Sequence, residues 1–142
     1  TNVERLQFAD KSIALDTTGN GGQAYRIYQA AFNRAPDKGG LGYWMKMMDN
    51  GMALNDVANG FIGSNEFKTL YGANPSNADL VTRFYNNVLH RSPEQGGFDY
   101  WTGLLNNGTL TSAQVLAGFS ESNENQANII GVIQNGFEYT QA

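Results

Sequence analysis

The sequence predicts an all-α fold in which two tandem pseudo-repeats, each of about four helices, pack as one domain behind a short N-terminal β-like tail. Three observations carry this prediction. One motif occurs twice, apolar residues recur at helical spacing in each copy, and helix caps fall at matching positions. The chain has 142 residues, of which 41% are hydrophobic and 12% aromatic. A chain of this composition can bury one sizeable core, despite its 17 glycines.

The duplication rests on an eleven-residue motif, Arg34–Trp44, that returns as Arg91–Trp101 at an offset of 57 residues. Further pairs keep this register, and after one inserted residue they continue at an offset of 58. These pairs are Arg26 with Arg83, Tyr28 with Tyr85, Asn50-Gly51 with Asn107-Gly108, Val57 with Val115, Gly60-Phe61 with Gly118-Phe119, and Ser64-Asn65-Glu66 with Ser122-Asn123-Glu124. The matches indicate two repeats, at about residues 23–72 and 78–137.

The first helix of each repeat is predicted from about Gly22 to Asn33 and from about Ala78 to His90. In the earlier of the two, Tyr28 and Phe32 are four residues apart and therefore share one helix face. Both helices stop before an Arg-x-Pro sequence, because the residue before a proline disfavours the helical conformation.

The second helix of each repeat is predicted to begin at Asp37 or Glu94 and to end at Asn50-Gly51 or Asn107-Gly108. Acidic residues stabilise a helix N-terminus, and Asn-Gly tolerates the left-handed conformation at a helix C-terminus. Apolar residues at helical spacing define a buried face: Leu41, Trp44 and Met48 in repeat one, and Phe98, Trp101 and Leu105 in repeat two. Tryptophans in such a pattern are expected in the core.

The third and fourth helices are predicted from their N-terminal caps. Thr111–Gln114 has the spacing of a capping box, and Asn55 is the expected cap in repeat one. Ser64 and Ser122 are expected to cap the fourth helices. The helix that follows Ser122 is expected to continue to about Gly136.

The first 21 residues differ in pattern from the rest of the chain. Apolar residues surround a break at Ala9–Lys11, which predicts a small hairpin, and Thr17–Gly22 is a glycine-rich linker. We interpret residues 1–21 as the tail of a preceding β-rich region, apart from the helical core, and residues 22–142 as the helical domain. The chain starts at Thr1 without a methionine or a signal peptide, so we expect the remainder of a larger polypeptide on its N-terminal side.

Charge and cysteine content exclude several classes of function. The net charge is −4 and only nine lysines and arginines are present, so the basic surface that nucleic acid or an anionic membrane requires is missing. The lack of cysteine excludes a disulfide framework, a thiolate zinc site and a cysteine nucleophile. No apolar run approaches roughly 18 residues, so no membrane insertion is predicted.

The repeated motifs resemble a bacterial family known as domain of unknown function 4214, in two copies over about Gln23 to Asn125. The resemblance rests on Tyr-Arg-x-Tyr, Arg-x-Pro-Asp-x-x-Gly-x-x-Tyr-Trp and Gly-Phe-x-x-Ser-x-Glu-Phe, and copy two departs from it at Glu94 and Asn125. It implies a helical fold similar to the linker domain of phycobilisomes. It also implies an extracellular location in the C-terminal part of an exported calcium-repeat (RTX-like) adhesin, surface-layer or secreted protein. It implies no established activity.

Six candidate ligand-binding residues form three pairs related by the repeat: Tyr43 and Tyr100, Asp37 and Glu94, and Arg34 and Arg91. The tyrosines are expected at the surface, because helix geometry turns them about 100° away from the neighbouring tryptophans. The adjacent glycine pairs would leave helix N-terminal amides free for anionic or hydroxyl-rich groups, which the arginines could also bind. The structural alternative is that the acidic residues cap helices, the glycines allow close packing, and the arginines pair with Glu66 and Glu124.

Metal and catalytic chemistry have weak support in the sequence. Asp37 and Asp16 each lie near glycines, but a calcium loop needs about five oxygen ligands within twelve residues. His90 is the only histidine and cannot by itself form the base-and-orienter pair of a hydrolase. Asn107 begins a glycosylation pattern, but it is also a predicted helix C-terminus. We therefore expect no metal, no cofactor and no catalytic residue.

The leading functional prediction is a non-catalytic binding or adhesion module that contacts surface glycan or another surface component. The alternative is a structural module for protein–protein assembly. A glycan-cleaving enzyme is the third class, and two carboxylates facing each other across a cleft would favour it.

Overall fold

The computed structural model describes residues 4–142 and confirms the predicted all-α class. Residues 1–3, where the predicted tail begins, lie outside the described part. Residues 4–142 form eight helices and three short strands. Repeat one contains α1 (Asn20–Phe32), α2 (Lys38–Asp49), α3 (Leu54–Ile62) and α4 (Asn65–Tyr71). Repeat two contains α5 (Asn77–Val88), α6 (Gln95–Asn106), α7 (Ser112–Ser120) and α8 (Asn123–Ile133). The strands are β1 (Arg5–Gln7), β2 (Ser12–Ala14) and β3 (Phe137–Tyr139).

Several helix starts carry the side-chain caps that the sequence indicates. Ser64 and Ser122 each accept a hydrogen bond from the amide three residues later, at 3.1 Å, where α4 and α8 begin. Thr111 and Gln114 form the predicted capping box of α7. The predicted cap at Asn55 is wrong, because α3 begins one residue earlier and no side chain caps it.

A left-handed residue follows the first helix of each repeat at the equivalent position. Asn33 and His90 have φ angles of 52° and 56°, a left-handed region that asparagine and histidine enter more readily than most residues. Asn33 is the C-cap of α1, whereas His90 lies one residue beyond Leu89, the C-cap of α5. The start of α1 lies two residues before the predicted Gly22, because the Asp16 carboxylate accepts a hydrogen bond from the Gly21 amide at 2.7 Å.

The last helix is shorter than predicted. It ends at Ile133 rather than continuing to Gly136, which has a φ angle of +99°. This left-handed conformation suits glycine and turns the chain out of the helix. The residues that follow form β3, although the sequence predicts that they belong to the helical domain.

A three-stranded antiparallel sheet, in the order β1-β2-β3, joins the N-terminal hairpin to residues near the other end of the chain. Its inner face packs on the helices through Ala14, Phe137 and Tyr139, all less than 9% exposed. The Thr140 amide donates to the Lys38 carbonyl at 2.9 Å, which fixes the sheet against α2. The predicted hairpin is therefore confirmed, but its separation from the helical core is wrong. The boundary between residues 21 and 22 stays a prediction.

One hydrophobic core unites the two repeats. Helix α3 packs against α7, and α1 packs against both α5 and α7. Aromatic rings line this core, with Phe61 next to Trp44 at a centroid distance of 5.0 Å and Phe119 next to Trp101 at 5.1 Å. The two tryptophans are half-buried at its margin rather than enclosed. Within residues 4–142, no helix has the length and hydropathy needed to cross a bilayer.

Candidate functional site

In repeat one, the start of α2 brings Arg34 and Asp37 together with Tyr28. Asp37 accepts a hydrogen bond from the Tyr28 hydroxyl and another from the Gly40 amide at 2.6 Å. The Arg34 guanidinium lies 5.3 Å from the centroid of the Tyr28 ring and donates two hydrogen bonds to Glu66, at 2.8 and 2.9 Å. Asp37 is thus a helix cap and Arg34 is half of an ion pair, as the structural alternative predicts.

Repeat two has the same arrangement, with one difference at the helix start. Arg91 donates to Glu124 at 2.9 and 3.0 Å and lies 5.1 Å from the centroid of the Tyr85 ring. Glu94 accepts hydrogen bonds from Arg91 and, at 3.2 Å, from the Tyr85 hydroxyl. Its side chain makes no cap hydrogen bond to a backbone amide, unlike that of Asp37. The substitution of Glu for Asp therefore changes the helix cap but keeps the tyrosine contact.

These contacts lower the pKa of four carboxylates, those of Asp37, Glu66, Glu94 and Glu124. The hydrogen bonds from Arg34 lower the pKa of Glu66, and the hydrogen bond from Tyr28 lowers the pKa of Asp37. Contacts with the arginine of repeat two lower the pKa of its two equivalent glutamates. Burial, and then the contact with Asp37, raise the pKa of Tyr28. A carboxylate held in this way by an arginine and a tyrosine is stabilised as a structural anion rather than prepared to accept a proton.

The second glycine of each pair allows the tyrosine and the carboxylate to meet. A Cβ atom on Gly40 would lie 2.8 Å from the Tyr28 hydroxyl, and one on Gly97 would overlap the Tyr85 hydroxyl. The expectation of a free amide is wrong at Gly40, because Asp37 accepts its hydrogen bond. A Cβ atom on the first glycine of each pair would clash with nothing, because one on Gly96 would meet open space and one on Gly39 would lie 4.0 Å from an Asp37 carboxylate oxygen. Close packing therefore explains only the second glycine of each pair.

Tyr43 and Tyr100 lie at equivalent places on α2 and α6, and both are exposed. Their exposed fractions are 48% and 61%. Each ring meets the neighbouring tryptophan edge-on, with centroid distances of 5.0 Å to Trp44 and 5.2 Å to Trp101. Each repeat therefore presents one tyrosine ring to solvent, supported from the side by an indole.

The repeated Gly-Phe pair of the third helix holds the two indoles in place. Phe61 and Phe119 contact the indoles directly, and the glycine before each of them faces the same ring. A Cβ atom at Gly60 or Gly118 would lie 2.8 or 3.1 Å from the nearest indole carbon. The Gly-Phe pair therefore occurs in both repeats because the indole packs against both of its residues.

The two aspartates considered for calcium are occupied by protein donors. Asp16 accepts hydrogen bonds from Arg5 at 2.7 and 2.8 Å and from the Gly21 amide, and Asp37 is engaged as described above. Among residues 4–142, no group of three or more histidine, cysteine, aspartate or glutamate side chains could hold a metal ion.

Two charge networks were missed by the sequence analysis, because each occurs in one repeat only. Arg26 is 4% exposed and donates two hydrogen bonds to Glu121, both at 2.6 Å, and one to the Thr17 carbonyl at 2.7 Å. Its counterpart Arg83 is exposed and donates only to the Leu70 carbonyl, at 3.1 Å. The other network joins β1 to α2, through a hydrogen bond from Arg5 to Asp49 at 2.8 Å. A search for paired charges repeated in both copies cannot find either network.

Taken together, the fold and these sites define a duplicated helical domain whose repeated charges hold its helices and whose repeated tyrosines face solvent. A family model described as "Domain of unknown function (DUF4214)" matches residues 17–70 and residues 58–129. These two matches cover most of the chain, so the protein belongs to this family. Neither the curated proteins nor the solved structures contain a match to the chain.

Proposed function

We propose that this chain is a non-catalytic binding and adhesion module of an exported bacterial protein, and that it contacts surface glycan through Tyr43 and Tyr100. The supporting observation is that both rings are exposed at positions related by the internal repeat. An aromatic ring offers a flat apolar face with a polar hydroxyl at one end, which suits the mixed surface of a sugar ring. Two weak contacts on one rigid domain also favour a repeating polymer through effective concentration.

The four polar candidates then have a supporting role in binding. Arg34 and Arg91 are held by glutamates, and Asp37 and Glu94 are held by tyrosines. They fix the first turns of α2 and α6, which carry the exposed tyrosines. We assign them to positioning of the helices rather than to ligand contact.

A non-catalytic role fits the state of the repeated carboxylates. Each of them has an arginine or tyrosine partner that lowers its pKa, whereas a glycosidase needs one carboxylic acid with a raised pKa. The proposed location is extracellular, in the C-terminal part of an RTX-like adhesin, surface-layer or secreted protein. Both this location and a likeness to the phycobilisome linker fold rest on the family resemblance alone.

Protein–protein assembly is a second candidate function, favoured by the outer face of the sheet. Leu6 and Ile13 are paired in register and alternate with the buried residues of β2, so they lie on the face turned away from the helices. Leu15 and Phe8 nearby are 37% and 55% exposed. An exposed apolar surface of this kind suits a protein contact.

A glycan array with the purified protein, run with and without calcium, tests the proposed function. We expect binding to a surface polysaccharide that does not depend on calcium and is lost in the Tyr43→Ala/Tyr100→Ala double variant. Phe8→Ala is the matched control, because it removes an exposed aromatic ring from the sheet and should leave binding unchanged. Equal binding by the double variant and the wild type would contradict the glycan proposal and favour assembly.

A further inference from the structure

We infer that the groove between the sheet and α2 binds a single uncharged, hydroxyl-rich sugar ring. The inference rests on the proposed function and adds a defined site to it. The groove has a volume of about 440 Å³. Binding sites for small molecules typically range from about 300 to about 1,000 Å³, so the groove is large enough for one such ring.

The base of the groove is fixed and almost fully covered. Gly42, Met45 and Tyr139 line it, Met45 and Tyr139 are 1% and 7% exposed, and the Arg5 guanidinium lies 6.0 Å from the centroid of the Tyr139 ring. The sheet approaches α2 so closely here that a Cβ atom on Gly42 would overlap the Thr140 carbonyl. The Lys38–Glu138 ion pair, at 3.1 Å, ties the two walls together at the surface. A preformed groove of this kind favours the binding of a rigid ring through its polar rim, because little must be reordered on binding.

The rim of the groove carries hydrogen-bond donors and acceptors in balance. Lys46 can donate, Asp49 can accept, and the amides of Gln7 and Gln141 can do both. Arg5 already donates hydrogen bonds to the carboxylates of Asp16 and Asp49, so its charge is compensated. Burial alone would raise the pKa of Asp49, but the hydrogen bonds that it accepts outweigh burial and lower this pKa below its usual value. Hydroxyl groups both donate and accept, and they carry no charge to be balanced. The rim therefore fits a neutral polyol ring better than an anion.

Repeat two offers no equivalent groove, so we expect one site per chain. The positions that match Gly42, Lys46 and Asp49 are Asp99, Gly103 and Asn106. The side chain of Asp99 would obstruct a backbone that approached α6 as Thr140 approaches α2, and none of the described strands packs on α6. Tyr43 follows Gly42 on α2 but does not line the groove.

Amide chemical shifts of the ¹⁵N-labelled protein test this site residue by residue. The probes are methyl β-glucoside, methyl β-galactoside and methyl α-mannoside, with tetrahydropyran as a ring that lacks hydroxyls. We expect at least one glycoside to shift the amides of Met45, Lys46 and Gln141 along a saturable curve, with a dissociation constant on the order of millimolar. The amide of Tyr100 should not move, and tetrahydropyran should shift none of them.

Removal of the Lys46 donor separates specific binding from general surface contact. Lys46→Met keeps the length of the side chain and should weaken glycoside binding about tenfold, the usual effect of losing one charged donor. Lys68→Met removes an equal charge from α4 and should leave the affinity unchanged. The same spectra report whether each variant keeps its fold.

Three results would overturn the groove site. One is that no glycoside shifts the groove amides at 100-fold the expected dissociation constant, roughly 0.1 M or above. A second is equal affinity in Lys46→Met and Lys68→Met. Shifts at Tyr43 and Tyr100 without groove shifts would also overturn it, while leaving the proposed tyrosine contacts intact. Saturable groove shifts in a protein that fails to bind polysaccharide through its tyrosines would support the groove and contradict the two-tyrosine mode.

Discussion

The buried ion pair between Arg26 and Glu121 gives the sharpest prediction about stability. The Arg26 side chain is 5% exposed and the Glu121 side chain is 23% exposed. Removing one partner of a buried pair costs roughly 3–5 kcal/mol, because the other charge stays buried without compensation. Glu121→Gln leaves the more deeply buried cation unpaired, and the partial exposure of the site places the cost at the lower end, about 3 kcal/mol.

The reciprocal change is expected to cost less. Arg26→Met keeps most of the buried volume and leaves Glu121, which can take up water at its exposed edge. The loss is then that of hydrogen bonds to a charged group, about 1.5–3 kcal/mol. The double variant leaves neither charge unpaired, so its cost should fall below the sum of the single costs by about 2 kcal/mol, within the usual range for contacting residues.

Urea denaturation followed by far-ultraviolet circular dichroism measures these changes as shifts of the midpoint at constant slope. Arg83→Met is the matched control, because this arginine occupies the same repeat position but is exposed and makes one hydrogen bond. It should cost less than about 0.5 kcal/mol. A cost for Glu121→Gln no larger than that for Arg83→Met, or single costs that simply add, would contradict a coupled, buried ion pair.

Three further predictions follow from the same structure. Trp44→Ala and Trp101→Ala should each lower the free energy of unfolding by about 2–3 kcal/mol, less than a fully buried tryptophan, because both indoles are half-buried; normal urea midpoints would show that the indoles contribute no packing. Because Arg34 lowers the pKa of Glu66, this pair stabilises the fold at neutral pH and loses its effect as the pH falls between about 5 and 3. The free energy of unfolding of Glu66→Gln should therefore fall less steeply with decreasing pH than that of the wild type. The melting temperature should stay the same in chelator and in millimolar calcium, because Arg5 and an amide already occupy Asp16, and a calcium-dependent rise of several degrees would contradict this.

Local sequence signals predict the helices and many of their ends. These signals are residues that cap a helix end, such as a serine three residues before its amide partner or an Asn-Gly pair after an apolar stripe. Their contacts lie within one helical turn, so no knowledge of the tertiary fold is needed. Ser64 and Ser122 are confirmed caps for this reason. The prediction of a cap at Asn55 is wrong, because α3 begins at Leu54 and an asparagine in the first turn of a helix resembles a cap in sequence.

Contacts between residues that are distant in sequence could not be predicted. β2 and β3 pair across more than a hundred residues, and three residues after a glycine are too few to predict a strand. The hydrophobic pattern of Ser12–Ala14 does not reveal which face would meet the helices. The groove beside α2 depends on this pairing and could not be predicted for the same reason.

The internal repeat predicted more of the candidate site than composition did. It identified Arg34 with Glu66 and Arg91 with Glu124 as possible pairs, and both pairs form. It gave no way to find contacts that differ between the copies, such as Arg26 with Glu121. Exposure of Tyr43 and Tyr100 was predictable from helix geometry, because their neighbouring tryptophans carry the apolar face.

The central claim is that the repeated tyrosines form a two-point contact with a glycan polymer. Titration of purified cell-surface polysaccharide over immobilised wild type, Tyr43→Ala, Tyr100→Ala and the double variant tests it most directly. We expect each single variant to bind on the order of 100-fold more weakly, because loss of one contact removes the avidity, and the double variant to show no binding. Unchanged affinity in the double variant, with its melting temperature intact, would contradict the claim.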